Sequence, residues 1–344
     1  MPNLPFISVI VPCRNEKKYI KSLLESIEKQ DYPKNSFEVI IADGMSDDGT
    51  RVILSDIKSN YNYLTVIDNE QKIVPTALNK AIKMSKGEYI IRLDAHSIYP
   101  TNYFSRLISV IEKTDADNVG GMWITKPGNN SVKAKAIAIA MSCPFGIGNS
   151  SYRIATNKTE PFEVDTVPFG CYRRSVFEKI GYFDEDLVRN QDNEFNERLL
   201  KAGGKILLIP DLKIDYFARE NFTKLWKMNY HYALFGPLVD KKLGKIPRIR
   251  KYIPSIFVLS LILPSIVSLK IKKAKLISHI SALSYSLCNL YFSFRECKRN
   301  HNFKFFPYLI WSFGIAHFSY GIGFINGFIK LLLNKKYNFS YISR

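Results

Sequence analysis

The sequence predicts an α/β protein, a doubly wound and mostly parallel sheet with helices on both faces, followed by a helical region that associates with membrane. Three observations predict it. Through residue 125, apolar runs of strand length alternate with amphipathic patterns of about ten to fifteen residues, the signature of β–α–β packing. The formal charge is +18 over 344 residues, but Lys241 to Arg344 holds 18 basic residues against one acid, Glu296, leaving +1 for residues 1–240. That same tail contains three uncharged runs, Tyr252–Leu269, Leu276–Phe294 and Phe305–Ile329.

The elements follow in order. "FISVIVP" is an apolar strand, and "NEKKYIKSLLESIEKQ" then places Tyr19, Ile20, Leu23, Leu24 and Ile27 at helical spacing. "FEVIIADG" is a second strand turning at Gly44. Ser46 or Asp47 is the expected cap of a helix through Val52, Ile53 and Ile57. "YLTVID" is a third strand, and "PTALNKAIKMS" a third helix with Pro75 at its start, where a missing N–H costs nothing. "EYIIRLD" gives the fourth strand, "NYFSRLISVIEKT" the next helix and "NVGGMWIT" a further strand. Ligands of such sheets bind outside the carboxyl ends of the strands. The polar residues there are Arg14, Asn15 and Glu16, then Asp43, then Asp94 with His96. Neither GxGxxG nor GxxxxGK[ST] occurs, which argues against a dinucleotide fold and a P-loop nucleotidase.

The tail reads as a membrane anchor. A bilayer span needs about 20 mostly apolar residues; the third run meets that length and the other two are marginal. The flanking clusters "KKLGKIPRIRK", "KIKKAK", "RECKRNHNFK" and "NKK" suit anchoring to anionic lipid. In "LWKMNYHYALFG", Trp226, Lys227, Tyr230, His231 and Phe235 interleave aromatic and basic residues, as in an interfacial helix. The near-neutral first 240 residues exclude a nucleic-acid binder, whose globular part would carry the charge. The N-terminus lacks the basic and long apolar regions of a signal peptide. Five cysteines without a CxxC pair suit a reducing compartment. The expected organisation is therefore a globular domain over 1–240 facing the cytoplasm at the cell membrane. A basic tail over 241–344, with one to three transmembrane or interfacial segments, would hold it there.

Five motifs in order carry a more specific signal: "VIVPCRNE", "IADGMSDDGT", "RLDAHS", "VPFGCYRRSVFEKIGYFDED" and "NQDNEFNERLLKAGGKI". Over roughly residues 5–240 the chain resembles glycosyltransferase family 2, inverting enzymes of the GT-A fold that use nucleotide-sugar donors. It is most similar to the succinoglycan- and capsule-type exopolysaccharide branch. The resemblance implies a metal-dependent, hexosyltransferase-like enzyme that moves one sugar to a lipid-linked saccharide. The Gln-x-x-Arg-Trp of processive synthases is not found in the sequence, which favours single addition. The alternative is a membrane scaffold of a polysaccharide-assembly complex, its chemistry impaired at His96 and Gln191.

The resemblance also implies roles. The family holds a divalent cation with Asp-x-Asp; here Asp94 and His96 occupy those positions, Asp94 lying near the donor as well. A cation neutralises the departing diphosphate as a Lewis acid, and an imidazole in the pair favours Mn²⁺ over Mg²⁺. Pro12, Arg14, Glu16, Asp43 and Gly44 would form the nucleotide pocket, Asp43 accepting from the imide of a UDP- or dTDP-sugar. Lys72 and Asn79 would line the donor site. Asp192 matches the family's base, preceded by Gln191 where the family carries Glu. The segment holding Gly170, Arg173 and Arg174 would wall off donor from acceptor, with Gly170 small beneath the sugar and the two arginines contacting the diphosphate or the acceptor. Glu194 and Arg198 would restrain the base or shape the acceptor site.

Overall fold

A computed structural model describes residues 4–148, 150–154, 156–244, 251–335 and 337; residues 245–250 of the first basic cluster, Lys336 of the last and the C-terminal residues lie outside them. The chain divides into two compact units, one of residues 4–124 and 151–216, the other of residues 125–150 and 217–337.

In chain order the elements of the first unit are β1 (Ile7–Cys13), α1 (Ile20–Glu28), β2 (Phe37–Asp43), α2 (Thr50–Lys58), β3 (Leu64–Asp68), α3 (Val74–Met84), β4 (Tyr89–Arg92), β5 (Ser97–Ile98), α4 (Tyr103–Lys113) and β6 (Asn118–Lys126). The segments α5 (Val132–Ala140) and α6 (Pro144–Ile147) belong to the second unit. The first unit resumes with β7 (Phe162–Glu163), β8 (Cys171–Arg173), α7 (Arg174–Ile180), α8 (Gln191–Lys201) and β9 (Ile206–Phe217). The sheet runs β3-β2-β1-β4-β8-β6-β9-β5, with β7 also on β9. From β3 to β4 every pairing is parallel. The sheet turns antiparallel where β8 enters against β4.

Alternation along β1 shows why both faces are covered. Ile7, Val9 and Val11 enter one core with Ile20, Leu23, Leu24 and Ile27 of α1 and Phe104, Leu107 and Ile111 of α4. Ile10 enters the other, with Leu78 and Ile82 of α3 and Phe195 and Leu199 of α8. Residues two apart share a face of a strand, so a run that is apolar but for the buried Ser8 needs a layer on each side. The second helix departs from expectation. It begins at Thr50 after Gly49 (φ 97°), Asp48 accepts from the Thr50 amide at 2.9 Å, and Val52 is 63% exposed. Ser46 is instead held by Asp43, so neither Ser46 nor Asp47 caps the helix, and Thr50 and Leu54 form its buried face.

The second unit adds α9 (Phe222–Leu234), α10 (Gly236–Leu243), α11 (Ile253–Val267), α12 (Ala274–Arg299) and α13 (Phe306–Leu332) to α5 and α6. The expected boundary at 240 falls inside α10. Residues 125–150 and 217–240 pack with the C-terminal helices, a non-local association that composition does not reveal. Gly323 and Gly327 set the approach of α13 to α9. A Cβ at either would come within 2.4 Å of a backbone carbonyl of α9, at Tyr230 and Leu234 respectively.

Polarity along α12 is inverted. Its buried residues are Ser278, Asn289, Ser293, Glu296 and Cys297, whereas Ile277, Ile280, Leu283, Leu287, Leu290 and Phe294 are exposed. Among the described residues, one helical stretch, Phe303–Leu332, is long and apolar enough to cross a membrane; Ile253–Val267 is apolar but shorter.

Candidate active site

The parallel half of the sheet lines up its carboxyl ends, with Cys13 opposite Asp43 and Asp43 opposite Asp68. Beyond Cys13 the chain is tied to the segment after β2. The Asn15 amide donates to Ser46 Oγ at 2.8 Å, and the Asn15 side chain exchanges hydrogen bonds with Asp47. Arg14 donates to the carbonyl of Gly44, and a Cβ on Gly44 would lie 3.2 Å from Arg14 Cβ. Pro12, half-buried in β1, pairs in register with Ala42.

Asp43 is buried and engaged. It accepts from the Ser46 amide at 3.0 Å, from Ser46 Oγ at 2.5 Å and from Arg51 at 2.9 Å, and Arg51 also reaches Asp68 at 2.9 Å. A carboxylate holding three donors here organises the loop after β2. Contact with a base would have to use its remaining acceptor capacity.

Asp94 and His96 follow β4. The Asp94 amide donates to Tyr99 Oη at 2.8 Å, and Arg92 donates to Asp94 Oδ1 at 3.2 Å. Arg92 is buried. Burial works against its charge, but Asp94 and Asp192 outweigh that and raise its pKa above the ordinary arginine value. His96 Nδ1 lies 3.2 Å from Glu16 Oε1, and its ring is 5.5 Å from that of Tyr216 on β9. Tyr216 in turn stacks on Trp123 at 3.9 Å, with Arg153 over the Trp123 ring. Asp192 lies in the first turn of α8, half-buried, with its Oδ1 accepting from the Asn193 amide at 2.9 Å. Asp94 and Asp192 thus share the field of Arg92 and, as a second cation, of Arg189.

Other expected residues lie elsewhere. The Asn79 side chain donates to the Phe183 carbonyl at 2.8 Å and to Glu185 at 2.9 Å and accepts from the Phe183 amide at 3.0 Å, so it clamps the 183–185 segment inside the fold. Arg173 sits opposite Tyr89, at the amino end of β4, because β8 runs antiparallel to it. It donates to the carbonyls of Ala116 and Thr114. Arg174 donates to the Gly87 carbonyl and Ser85 Oγ. Both arginines therefore anchor backbone at the amino end of β4, the end away from Asp94. Gly170 is small for a packing reason, since a Cβ there would meet Asn118 Oδ1 at 2.1 Å. Glu194 and Arg198 form a two-point pair at 2.8 and 2.9 Å, with Arg198 also donating to the Tyr182 carbonyl, bracing α8. Lys72 is exposed in a left-handed turn (φ 62°) before α3. Burial pushes the Cys171 thiol well up, which keeps it protonated.

Sequence reasoning passed over Arg92, Arg189 and Tyr216. Arg92 had a legible signal, since it stands two before Asp94 and so shares its face. Tyr216 reaches the site only through β9 pairing with β5, where Ser97 faces it.

Among the described residues no group of three or more His, Cys, Asp and Glu side chains is arranged to hold a metal. Chemically, the edge offers a carboxylate–imidazole pair beside a cationic patch, with a second carboxylate at a helix start.

A family model for glycosyl transferase family 2 matches residues 8–181. The chain is 31% identical over 245 residues to a dolichyl N-acetyl-α-D-glucosaminyl phosphate 3-β-D-2,3-diacetamido-2,3-dideoxy-β-D-glucuronosyltransferase of Methanococcus voltae, covering 69% of this chain and 74% of that one. It is 29% identical over 248 residues to the succinoglycan biosynthesis protein ExoA of Rhizobium meliloti (strain 1021), covering 72% and 73%. Among solved structures, the mannosyltransferase PcManGT from Pyrobaculum calidifontis, in complex with GDP-Man and Mn²⁺, aligns with a TM-score of 0.57 at 16% identity, over 97% of this chain and 89% of that one. S. aureus TarS 1-349 in complex with UDP-GlcNAc gives 0.51 at 20% identity, over 97% and 93%. At such identities the two structures speak for the GT-A-like fold alone. The sheet, the ordered motifs and the family match lead to one conclusion: the chain belongs to glycosyltransferase family 2.

Proposed function

We propose that the protein is an inverting, metal-dependent glycosyltransferase that moves one sugar from a nucleotide-sugar donor to a lipid-linked saccharide at the cell membrane, in surface-polysaccharide assembly. The observation that carries this is that Arg92, 3.2 Å from Asp94 after β4, is also within electrostatic reach of Asp192 at the start of α8, as is Arg189 of both carboxylates. One carboxylate lies where the family binds its donor and the other where it keeps its base. Asp192 takes the acceptor hydroxyl's proton as that oxygen attacks the anomeric carbon. The bond from that carbon to the phosphate oxygen breaks, the nucleoside diphosphate leaves with the electron pair, and the configuration inverts. Asp192 suits this better than Glu194, whose carboxylate is engaged by Arg198.

The residues after β4 fit a divalent cation. With Glu16 at His96 Nδ1, ligation by the ring would fall to Nε2, and the Asp94 carboxylate is partly open, with a side-chain exposure of 19%. A cation there supplies Lewis-acid neutralisation of the departing diphosphate, with Mn²⁺ preferred over Mg²⁺ for the imidazole. Asp94 and His96 would be the residues that hold it. For the base, the reading remains a UDP- or dTDP-sugar, by analogy of the Asp43 position.

Membrane attachment is supported by the inverted polarity of α12 and the apolar stretch 303–332. Apolar side chains outside and hydroxyls inside are what lipid demands. A lipid-linked acceptor is supported by the dolichyl-phosphate-linked substrate named for the Methanococcus voltae relative. The catalytic unit would face the cytoplasm, where nucleotide sugars are made. The test is transfer by the full-length protein in detergent or membranes, with Mn²⁺, from a panel of nucleotide sugars to lipid-linked saccharides. A protein that neither transfers nor hydrolyses any donor would be a non-catalytic scaffold.

A further inference from the structure

Arg189 stands three residues before Asp192, on the approach to α8. Its Nε is buried, and among the described residues its side chain has no hydrogen-bond partner. The other arginines of this unit make a contrast. Arg92 donates to Asp94, Arg173 to backbone carbonyls, Arg174 to Gly87 and Ser85, and Arg198 to Glu194. A buried N–H without an acceptor is unfavourable, and the rest of the Arg189 side chain is partly open to solvent, so this guanidinium is placed to take its acceptor from a ligand.

The surroundings identify the ligand's charge and place. Tyr216, Asp94 and Asp192 all act on Arg189 through space. They do not cancel the effect of burial, which leaves its pKa below the ordinary arginine value. Both nearby carboxylates have other partners, since Asp94 accepts from Arg92 and Asp192 from the Asn193 amide. What must lie between Asp94 and Asp192 in the proposed reaction is the sugar's anomeric carbon with the diphosphate attached to it. A phosphate is an acceptor that matches the guanidinium fork and can be bound at two points.

We propose that Arg189 is a catalytic residue that donates to the donor's sugar-bearing phosphate and stabilises it as the leaving group. As the bond from the anomeric carbon to the phosphate oxygen breaks, the electron pair stays on that oxygen, and Arg189 neutralises charge that grows on the phosphate. The assignment rests on the glycosyltransferase reading of the same site.

The experiment is calorimetric titration of the full-length protein in detergent with UDP, dTDP, GDP and CDP, followed by the nucleoside of whichever diphosphate binds best. In Arg189→Gln the affinity for that diphosphate should fall roughly tenfold to a hundredfold, while nucleoside affinity stays within about twofold, showing that the variant is folded. Arg189→Lys, which keeps the charge and loses the fork, should fall between. An unchanged ratio of diphosphate to nucleoside affinity would overturn the assignment. So would loss of turnover with that ratio intact, which would place Arg189 beside the base instead. Failure of the wild type to bind any nucleoside diphosphate would overturn the donor reading itself, and this assignment with it.

Discussion

His96 Nδ1 and Glu16 Oε1 lie 3.2 Å apart, although 80 residues separate them along the chain. One comes from the end of β1 and the other from the end of β4, neighbours in the parallel sheet. A carboxylate on one ring nitrogen sets the tautomer, placing the proton on Nδ1 and the lone pair on Nε2. Glu16 therefore orients the imidazole.

That relationship gives the first prediction. Glu16→Gln should weaken Mn²⁺ binding about tenfold to a hundredfold, the usual cost of removing a carboxylate behind a ligating histidine. Electron paramagnetic resonance of free Mn²⁺ against protein concentration measures it without turnover. Equal Mn²⁺ affinity in the variant would separate Glu16 from any metal role.

Restoring the family's carboxylate, His96→Asp, should keep activity and move the preference from Mn²⁺ toward Mg²⁺. Initial rates with each metal measure this. A Mn²⁺/Mg²⁺ ratio equal to wild type would show that His96 is not a ligand.

Asn79 gives a prediction of the opposite kind. Asn79→Ala removes a side chain that makes three hydrogen bonds to the 183–185 segment. It should destabilise the protein by about 1–3 kcal/mol, read as a lower Tm, with KM for donor little changed. A large rise in KM at unchanged Tm would return Asn79 to the donor site.

How much of this was legible depends on the range of the contacts. Strands and helices through residue 125 declare themselves by local period, as Ile20, Leu23, Leu24 and Ile27 do on α1. The three-residue β8 has no period to read, and its direction decides that Arg173 and Arg174 face away from Asp94. Asp94, His96 and Asp192 could be proposed from the sequence because ordered motifs carry them. Arg189 could not, because what sets it apart is a missing partner, which only packing reveals. The grouping of residues 125–150 with the C-terminal helices was hidden for the same reason.

For the membrane, the full-length protein should stay in the membrane fraction through high-salt and alkaline washes. Leu283 and Leu287, both exposed on α12, are the test positions. Replacing both with Asp puts charge where lipid is expected, at roughly 2.5–3.5 kcal/mol each near a bilayer centre, and should release protein to the alkaline supernatant. Release of the wild type by salt alone would mean that only charge holds it there.

The central claim is that Asp192 removes the acceptor's proton in a sugar transfer. Its most direct test is the rate of transfer by Asp192→Asn beside wild type, using the nucleotide sugar that wild type accepts and measuring donor affinity in parallel. The account predicts a fall in turnover on the order of 10²-fold or more with donor affinity retained. Turnover within a few-fold of wild type would contradict it.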